Sequence, residues 1–265
     1  MKSFHMKKIA LIAIAVMMAC GTAFGWGREG HEVIAKIAEN NLKPSVKKKV
    51  EAYLGNHSIV YYAKWMDEYR HTKEYAFTSP WHTAKVDKNL EYTPSGKKGD
   101  AVYGILQAME TLKNYKDLPD STVCVNIKYL LHLVGDMHCP AHISYPGKSH
   151  GFMVDFGDNH YLKPKMTINY HAVWDYAVIQ SSRIWSVGDY AEQLDRLSRK
   201  EIKAIVAGTP QEWFHDNAVR CLVQFDMASP GDALLQDFVN EALPLIETQM
   251  LYAGYRLAEV LNSIF

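Results

Sequence analysis

A histidine and an aspartate one helical turn apart, at the end of an apolar segment, constrain this chain more than any other feature. The apolar residues of segment 127–134 recur at helical spacing. His132 and Asp136 are four residues apart, so both side chains project from one face of that helix. Pro140 ends the helix, and His142 follows just beyond the break. Because neither side chain is cheap to bury without a partner, the stretch predicts a divalent-metal site.

A second histidine–aspartate pair with the same spacing lies downstream, at His171 and Asp175. One such pair is explained equally well as a buried, hydrogen-bonded pair without a metal. Two pairs with His142 between them favour metal chemistry, because histidine nitrogens and carboxylate oxygens are common zinc ligands. Upstream, Asp67 and His82 supply the same side-chain types and are further candidates.

The first 25 residues have the pattern of a secretory signal peptide. Two lysines precede an apolar run at 9–19, which is too short to span a membrane as a stable helix, and small residues follow it. Cleavage after Gly25 leaves one mature domain, residues 26–265, in the periplasm or outside the cell. The alternative is a lipoprotein anchored through Cys20, which we rank second because the residues before it fit a lipobox poorly.

Cleavage at this point gives Trp26 a free α-amine, five residues before His31. An α-amine has a pKa of about 7.7–8.0, so near neutral pH it can give up its proton to a metal ion. The amine and the carbonyl of one residue then form a five-membered chelate ring. Removal of the signal peptide is therefore expected to complete a metal site.

Composition excludes some classes of protein. The signal peptide carries three lysines and no acidic residue, so its removal takes the formal net charge from +0 to −3. A protein that coats duplex DNA needs many cationic side chains, whereas an enzyme can take its positive charge from bound metal ions.

The mature chain has three cysteines, an odd number that leaves at least one thiol unpaired. Because no Cys-x-x-Cys motif occurs, we expect no cysteine–zinc chemistry.

Amphipathic helical patterns dominate the mature chain, and no transmembrane segment or repeat interrupts them. Helices are predicted at 31–41, 59–70, 190–206, 210–225 and 233–264. Three further helices are predicted to start at 100, near 120 and near 170. The irregular segment 144–168 contains the alternating Phe152, Val154 and Phe156, which indicate a short strand or a hairpin around 152–162. The predicted fold is all-α, in one multi-helix domain.

The ordered set of motifs resembles the zinc-dependent single-strand-specific nucleases of moulds and plants, the nuclease S1/P1 family, related in fold to bacterial zinc phospholipase C. The resemblance spans essentially the whole mature chain and is specific as a set, although each motif alone is weak. The motifs are Trp-Gly-x-x-Gly-His at 26–31, Trp-x-Asp-Glu-Tyr-Arg at 65–70, Gly-Asp-Met-His-x-Pro-x-His at 135–142, His-x-Val-Trp-Asp at 171–175, Pro-x-Glu-Trp at 210–213 and Ala-Gly-Tyr-Arg-Leu-Ala at 253–258.

The resemblance implies three zinc ions per chain. Its ligand sets are Asp67, His82 and His132 for the first ion, Asp136 as a bridge to the second, the Trp26 amine and carbonyl with His31 for the second, and His142, His171 and Asp175 for the third. No thiolate is needed in such a shell. Three Zn²⁺ ions less three aspartates leave a charge of about +3 in one cleft, which favours a phosphodiester without a basic surface.

The implied activity is hydrolysis of single-stranded DNA and RNA to 5′-nucleotides by a metal-bridging hydroxide, together with 3′-nucleotidase activity. Two metals about 3.5–4 Å apart can hold such a hydroxide in line with phosphorus. Asp67 and Arg70 are the implied catalytic residues, and the planar guanidinium of Arg70 suits the charge growing on phosphate oxygens. Single-stranded nucleic acid or nucleotides are the expected partners of a monomer with no stable protein partner.

The chain departs from the mould enzymes around base recognition. Thr83 and Lys85 occupy positions where those enzymes have a base-stacking aromatic residue and an aspartate, and the usual Gly-Gly-Asn motif is not recognisable in 147–160. Tyr61, Tyr62 or Phe152 are candidate replacements for the stacking face. Two alternatives therefore stay open: a phospholipase C-like hydrolase of another phosphoester, and a non-catalytic zinc-binding exported protein.

Overall fold

The computed structural model describes residues 26–157, 165–182 and 185–265. The predicted signal peptide at 1–25 lies outside the described residues, as does part of the predicted hairpin. The described part is mainly helical, which confirms the predicted all-α class. None of its helices is long and apolar enough to cross a membrane.

The helices are named here in chain order. They are α1 Arg28–Asn40, α2 Pro44–Tyr53, α3 Trp65–Tyr69, α4 Ala101–Leu112, α5 Asp120–Asp136, α6 (Tyr170–Ala172, the π-helical turn Val173–Ala177 and Val178–Ser182), α7 Val187–Leu194, α8 Arg199–Ile205, α9 Pro210–Cys221 and α10 Gln236–Ile264. Short 3₁₀ segments lie at Ile59–Tyr62, Ala76–His82, Gly96–Lys98, Tyr115–Asp117, Pro140–His142 and Leu222–Asp226.

Two helix pairs form the core that supports the site: α10 packs along α1, and α4 packs along α5. The first pair approaches closely because Gly254 of α10 has no side chain. A Cβ placed there would lie 2.5 Å from Cγ2 of Ile37 on α1. The apolar residues that give the helical patterns in the sequence, such as Val33 and Ile34 of α1, are buried in this core. The packing fixes the direction of α1 and α5, which carry histidines of the site.

Two small three-stranded sheets lie among the helices, in strand orders β2-β1-β3 and β5-β4-β6. The strands are β1 Ala84–Val86, β2 Tyr92–Thr93, β3 Ile143–Ser144, β4 Met153–Phe156, β5 Met166–Asn169 and β6 Ala233–Leu234. The predicted hairpin corresponds to β4 and β5, which pair antiparallel from Met153 with Asn169 to Phe156 with Met166. Its return strand starts later than the expected range of 152–162, because the connection between the strands is longer than a tight turn.

Side-chain capping marks the start of several helices. Asp100 caps α4, in agreement with a helix predicted from 100, and its side chain accepts a hydrogen bond from the Tyr103 amide. Helix α5 begins at Asp120, directly after Pro119, in agreement with a helix predicted near 120. The single helix predicted at 190–206 is two helices, and a capping box formed by Ser198 and Glu201 starts the second.

Candidate metal centre

The centre is built on the last turn of α5. His132 and Asp136 are both fully buried there, with Nε2 of His132 3.1 Å from Oδ2 of Asp136. The Nδ1 of His132 donates a hydrogen bond to the Ala63 carbonyl at 3.0 Å. That bond fixes the ring and leaves Nε2 facing the site, which is the arrangement usual for a metal-binding histidine.

Two upstream residues join this pair as predicted. Asp67 comes from the short helix α3, and His82 from the last position of the segment Ala76–His82. Nδ1 of His82 lies 2.9 Å from Oδ2 of Asp136 and 3.1 Å from Nε2 of His132. Oδ1 of Asp67 lies 3.6 Å from each of these histidine nitrogens. These four residues, Asp67, His82, His132 and Asp136, are called the α5 group below.

The start of the described chain lies against the same turn. The indole Nε1 of Trp26 donates a hydrogen bond to the Gly135 carbonyl at 2.8 Å, and the ring is fully buried. His31 stacks on His132 with ring centroids 4.0 Å apart, and its Nε2 lies 3.5 Å from Oδ1 of Asp136. A Cβ on Gly135 would come within 2.9 Å of the His31 ring, so this approach requires glycine.

The remaining predicted ligands meet on the other side of Asp136. His142 bridges two carboxylates, with Nδ1 3.2 Å from Oδ1 of Asp136 and Nε2 3.3 Å from Oδ1 of Asp175. His171 lies with Nε2 3.6 Å from Oδ2 of Asp175. Asp175 sits in the π-helical turn of α6, an irregularity often found at functional sites. His142, His171 and Asp175 are called the Asp175 group below.

Arg70 follows α3 directly and is buried, with Nη1 3.8 Å from Oδ1 of Asp67. The structure thus brings every predicted side-chain ligand and Arg70 into one continuous cluster, and the Trp26 indole packs beside it. His138 is not part of it. Its Nδ1 donates to the Val134 carbonyl at 2.7 Å, and its Nε2 accepts from Arg256 at 2.9 Å, on the opposite side of the turn.

Cys139 also lies in this cluster, although the sequence predicts no cysteine–zinc chemistry. Its thiol is fully buried and lies 3.4 Å from Oδ1 of Asp175. A signal for it was present in the sequence, because Cys139 precedes His142 by three residues. That spacing lets a turn bring both side chains to one point.

Many polar atoms of the cluster are buried without a hydrogen-bond partner. They are both ring nitrogens of His31, both carboxylate oxygens of Asp67, Nε2 of His82, Oδ1 of Asp136, Nδ1 of His142 and Nε2 of His171. Several lie at ion-pair distance from one another without hydrogen-bond geometry. Each such atom costs roughly 1–3 kcal/mol if nothing satisfies it. Lone pairs that converge in this way suit a bound cation.

The surroundings of some of the imidazoles favour the neutral ring, which is the form that binds a metal ion. Burial lowers the pKa of His31 to about 4 and that of His171 to about 3, so both rings are neutral at neutral pH. For His132, burial also opposes the charge, but Asp136 and Asp67 outweigh it and raise the pKa to about 9. A metal ion beside the same carboxylates would take the place of that proton.

Comparison with known proteins identifies the family. The S1/P1 Nuclease family profile matches residues 26–265. The chain belongs to this family. It is 25% identical to Endonuclease 2 of Arabidopsis thaliana over 96% of both chains, and 25% identical to Nuclease S1 of Aspergillus oryzae over 98% of both. It is also 25% identical to Nuclease P1 of Penicillium citrinum over 90% of this chain and 97% of that one. Membership confirms the predicted resemblance and supports a hydrolase acting on nucleic-acid phosphodiester bonds.

Proposed function

We propose that the protein is an exported, zinc-dependent phosphodiesterase that cleaves single-stranded DNA and RNA to 5′-nucleotides and also acts as a 3′-nucleotidase. Family membership supports the nuclease activity. The observation that carries the zinc assignment is the set of buried, unpartnered histidine and aspartate atoms around Asp136. Histidine nitrogens with a few carboxylate oxygens make an ordinary zinc shell, whereas magnesium prefers oxygen ligands and water.

The donors form three sets, and each fits one zinc ion. The first is the α5 group, the second is the Trp26 amine and carbonyl with His31 and the shared Asp136, and the third is the Asp175 group. Three groups of buried donor atoms lie within 4.8 Å of one another. His82, His132 and Asp136 fall within the first set, and His142 and Asp175, grouped with Cys139, fall within the third. The group of His31, Asp67 and His132 joins the second set to the first.

In the proposed reaction Arg70 holds the phosphate. Its guanidinium is kept beside Asp67 at 3.8 Å and can donate paired hydrogen bonds to two phosphate oxygens. Oδ1 of Asp67 faces the histidines of the α5 group, so Oδ2 is left to accept a hydrogen bond from the attacking water and orient it. When bound, zinc ions polarise the phosphoryl group and lower the pKa of water toward neutrality.

A cavity of about 610 Å³ near the centre is a candidate for binding the single strand. Its walls include Tyr61, Trp65 and Lys128, and Lys128 lies one helical turn before His132 on α5. Tyr61 is 68% exposed. His57 stacks on one face of the Tyr61 ring, with ring centroids 4.4 Å apart, and the other face is open to a base. Phe152 is a weaker candidate because its ring stacks on Tyr170.

The decisive test is cleavage by the purified, zinc-loaded protein. We expect acid-soluble nucleotides from single-stranded DNA and RNA, with 5′-phosphate ends, and much slower release from duplex DNA. Absence of release from single-stranded DNA at any pH from 5 to 9 would contradict the proposal.

The exposed side chains of Thr83, which precedes β1, and of Lys85 on β1 support a test of the phospholipase-like alternative. They stand where the mould enzymes recognise a base, so a different head group is the alternative ligand. Release of phosphocholine from a short-chain phosphatidylcholine, without nucleic-acid cleavage, would establish that alternative. If zinc binds but a broad panel of phosphoesters stays intact, the protein is a non-catalytic zinc binder.

A further inference from the structure

The thiol of Cys139 lies against a proposed zinc ligand. Cys139 follows the end of α5 and precedes the segment Pro140–His142, so its side chain turns back toward α6. Its Sγ is 3.4 Å from Oδ1 of Asp175, and Nε2 of His142 is 3.3 Å from the same oxygen. All three side chains are at least 97% buried. Sulfur, nitrogen and oxygen therefore surround one point that water does not reach freely.

These separations fit the edges of a zinc tetrahedron. With Zn–S near 2.3 Å and Zn–N or Zn–O near 2.0–2.2 Å, neighbouring ligand atoms are about 3.3–3.6 Å apart. The two distances to Oδ1 of Asp175 match these values. An ion placed between His142 and Asp175 is thus within reach of the Cys139 sulfur.

A fourth donor, the unpartnered ring nitrogen of His171, supports the same position for the ion. Nε2 of His171 lies 3.6 Å from Oδ2 of Asp175 and has no hydrogen-bond partner. His142 is almost fully buried, and it presents Nε2 to Asp175 because its Nδ1 faces Asp136. A simple hydrogen bond from the thiol to Asp175 would explain the Cys139 contact but would leave Nε2 of His171 without a partner. A cation shared by all four residues satisfies that nitrogen as well.

We propose that Cys139 is a direct ligand of the third metal ion, which is then held by cysteine, two histidines and aspartate. The inference rests on the proposed zinc centre and extends it. The thiol gives its proton to solvent as the ion enters, and the sulfur lone pair forms the new bond. Four protein ligands close the shell, which is typical of zinc sites without an open position. The third ion then acts mainly through its charge, and the net charge of the cleft falls from about +3 to about +2.

Cobalt substitution tests the bond directly. Zinc is removed from the purified protein by a chelator, Co²⁺ is added to full loading, and the near-ultraviolet spectrum is recorded. A cobalt–thiolate bond gives an intense charge-transfer band that histidine and carboxylate ligands do not give. We expect this band in the unaltered protein and its loss in Cys139→Ser. The matched controls are Cys221→Ser, which removes an equally buried thiol on α9, and Cys124→Ser; both should keep the band.

Circular dichroism of each variant shows whether it is folded, and the cobalt content is measured in parallel. If Cys139→Ser does not fold, the band of the unaltered protein and its persistence in both control variants decide the question. A fully loaded protein without the band, a band that survives in Cys139→Ser, or failure to bind cobalt at all overturns the inference. Nuclease activity is assayed separately with zinc. Cleavage without a thiolate band rejects only the Cys139 ligand, whereas a band without cleavage rejects only the proposed reaction.

Discussion

Arg70 has a role in the proposed reaction but is not a proposed metal ligand. Its replacement therefore tests the reaction separately from metal binding. Replacement by alanine should lower kcat for single-stranded DNA by about 10²–10³-fold, because a preorganised donor to the transition state is lost. The zinc content should stay the same, since no ligand atom is removed. Arg70→Lys should recover only part of the rate, because an ammonium cannot make the paired contact.

Steady-state kinetics and metal analysis of the same preparations check this prediction. The control is Arg199→Ala, which removes an exposed arginine at the start of α8 and should leave kcat unchanged. A full rate in Arg70→Ala, or a loss of zinc that accounts for the lost rate, would count against a role for Arg70 at the phosphate.

At the level of single residues, the sequence predicted the site best where two ligand-type side chains are one helical turn apart. His132 with Asp136 could be placed on one helical face because a four-residue separation has one geometrical meaning in a helix. The contact between Cys139 and Asp175 could not be predicted in this way, because it joins two segments through a turn. The π-helical turn around Asp175 was equally invisible, since π turns have no sequence period of their own.

The element that carries Tyr61 is a 3₁₀ segment, Ile59–Tyr62, at the rim of the cavity of about 610 Å³. Tyr61→Ala should raise KM for long single-stranded DNA by roughly 5–150-fold, because one base–aromatic stack is worth about 1–3 kcal/mol. Cleavage of a dinucleotide that cannot reach the cavity should change little.

Two variants make the Tyr61 result specific. Tyr61→Phe keeps the ring and should behave like the unaltered protein. Trp185→Ala removes another exposed aromatic side chain, outside the walls described for that cavity, and should not affect KM. Equal KM values for all four proteins would mean that the strand does not use this surface.

The packing of α10 on α1 makes a second prediction at this scale. Gly254→Ala should lower the free energy of unfolding by about 1–3 kcal/mol, because its methyl group would overlap Ile37 at 2.5 Å. Gly188→Ala on α7 is the matched control, since a Cβ there would meet Ser186 Oγ at an ordinary 3.8 Å. That substitution should be neutral or stabilising, because alanine suits a helix better than glycine. Denaturant titration of both variants measures the difference, and similar midpoints would contradict the packing argument.

Elements with a strong apolar period were predicted well, and elements defined by distant partners were not. The helix pattern after His31 corresponds to α1, although the helix begins earlier, at Arg28, where the buried Trp26 side chain anchors the chain. The strands β3 and β6 were missed because each has two residues and exists only through pairing with β1 or β4. Two residues cannot show an alternating pattern.

For the molecule as a whole, the buried cluster should make stability depend on metal. Chelation should lower the melting temperature and abolish cleavage, because the buried carboxylates and imidazoles lose their common partner. At free zinc a thousandfold above the dissociation constant, each bound ion contributes about 4.1 kcal/mol. Added Zn²⁺ should restore both properties, and Mg²⁺ should not, since histidine ligands disfavour it. An unchanged melting temperature after complete zinc removal would contradict the proposed centre.

The position of Trp26 beside the α5 turn would link the proposed centre to the predicted removal of residues 1–25. A protein that begins at Trp26 should bind one zinc ion more than a protein that keeps Gly25, because Gly25 turns the chelating amine into an amide. Metal analysis of the two purified forms measures this, with an internal control in the ions held by side chains alone. Equal zinc contents would remove Trp26 from the ligand set.

Asp136 directs its two carboxylate oxygens to opposite sides: Oδ2 toward His82 and His132, and Oδ1 toward His31 and His142. Ions on the two sides would therefore share one fully buried carboxylate. By thermodynamic reciprocity, occupancy of one side changes the affinity of the other by the same factor. Loading of the two sides would then be coupled, and activity would depart from a hyperbolic dependence on free zinc.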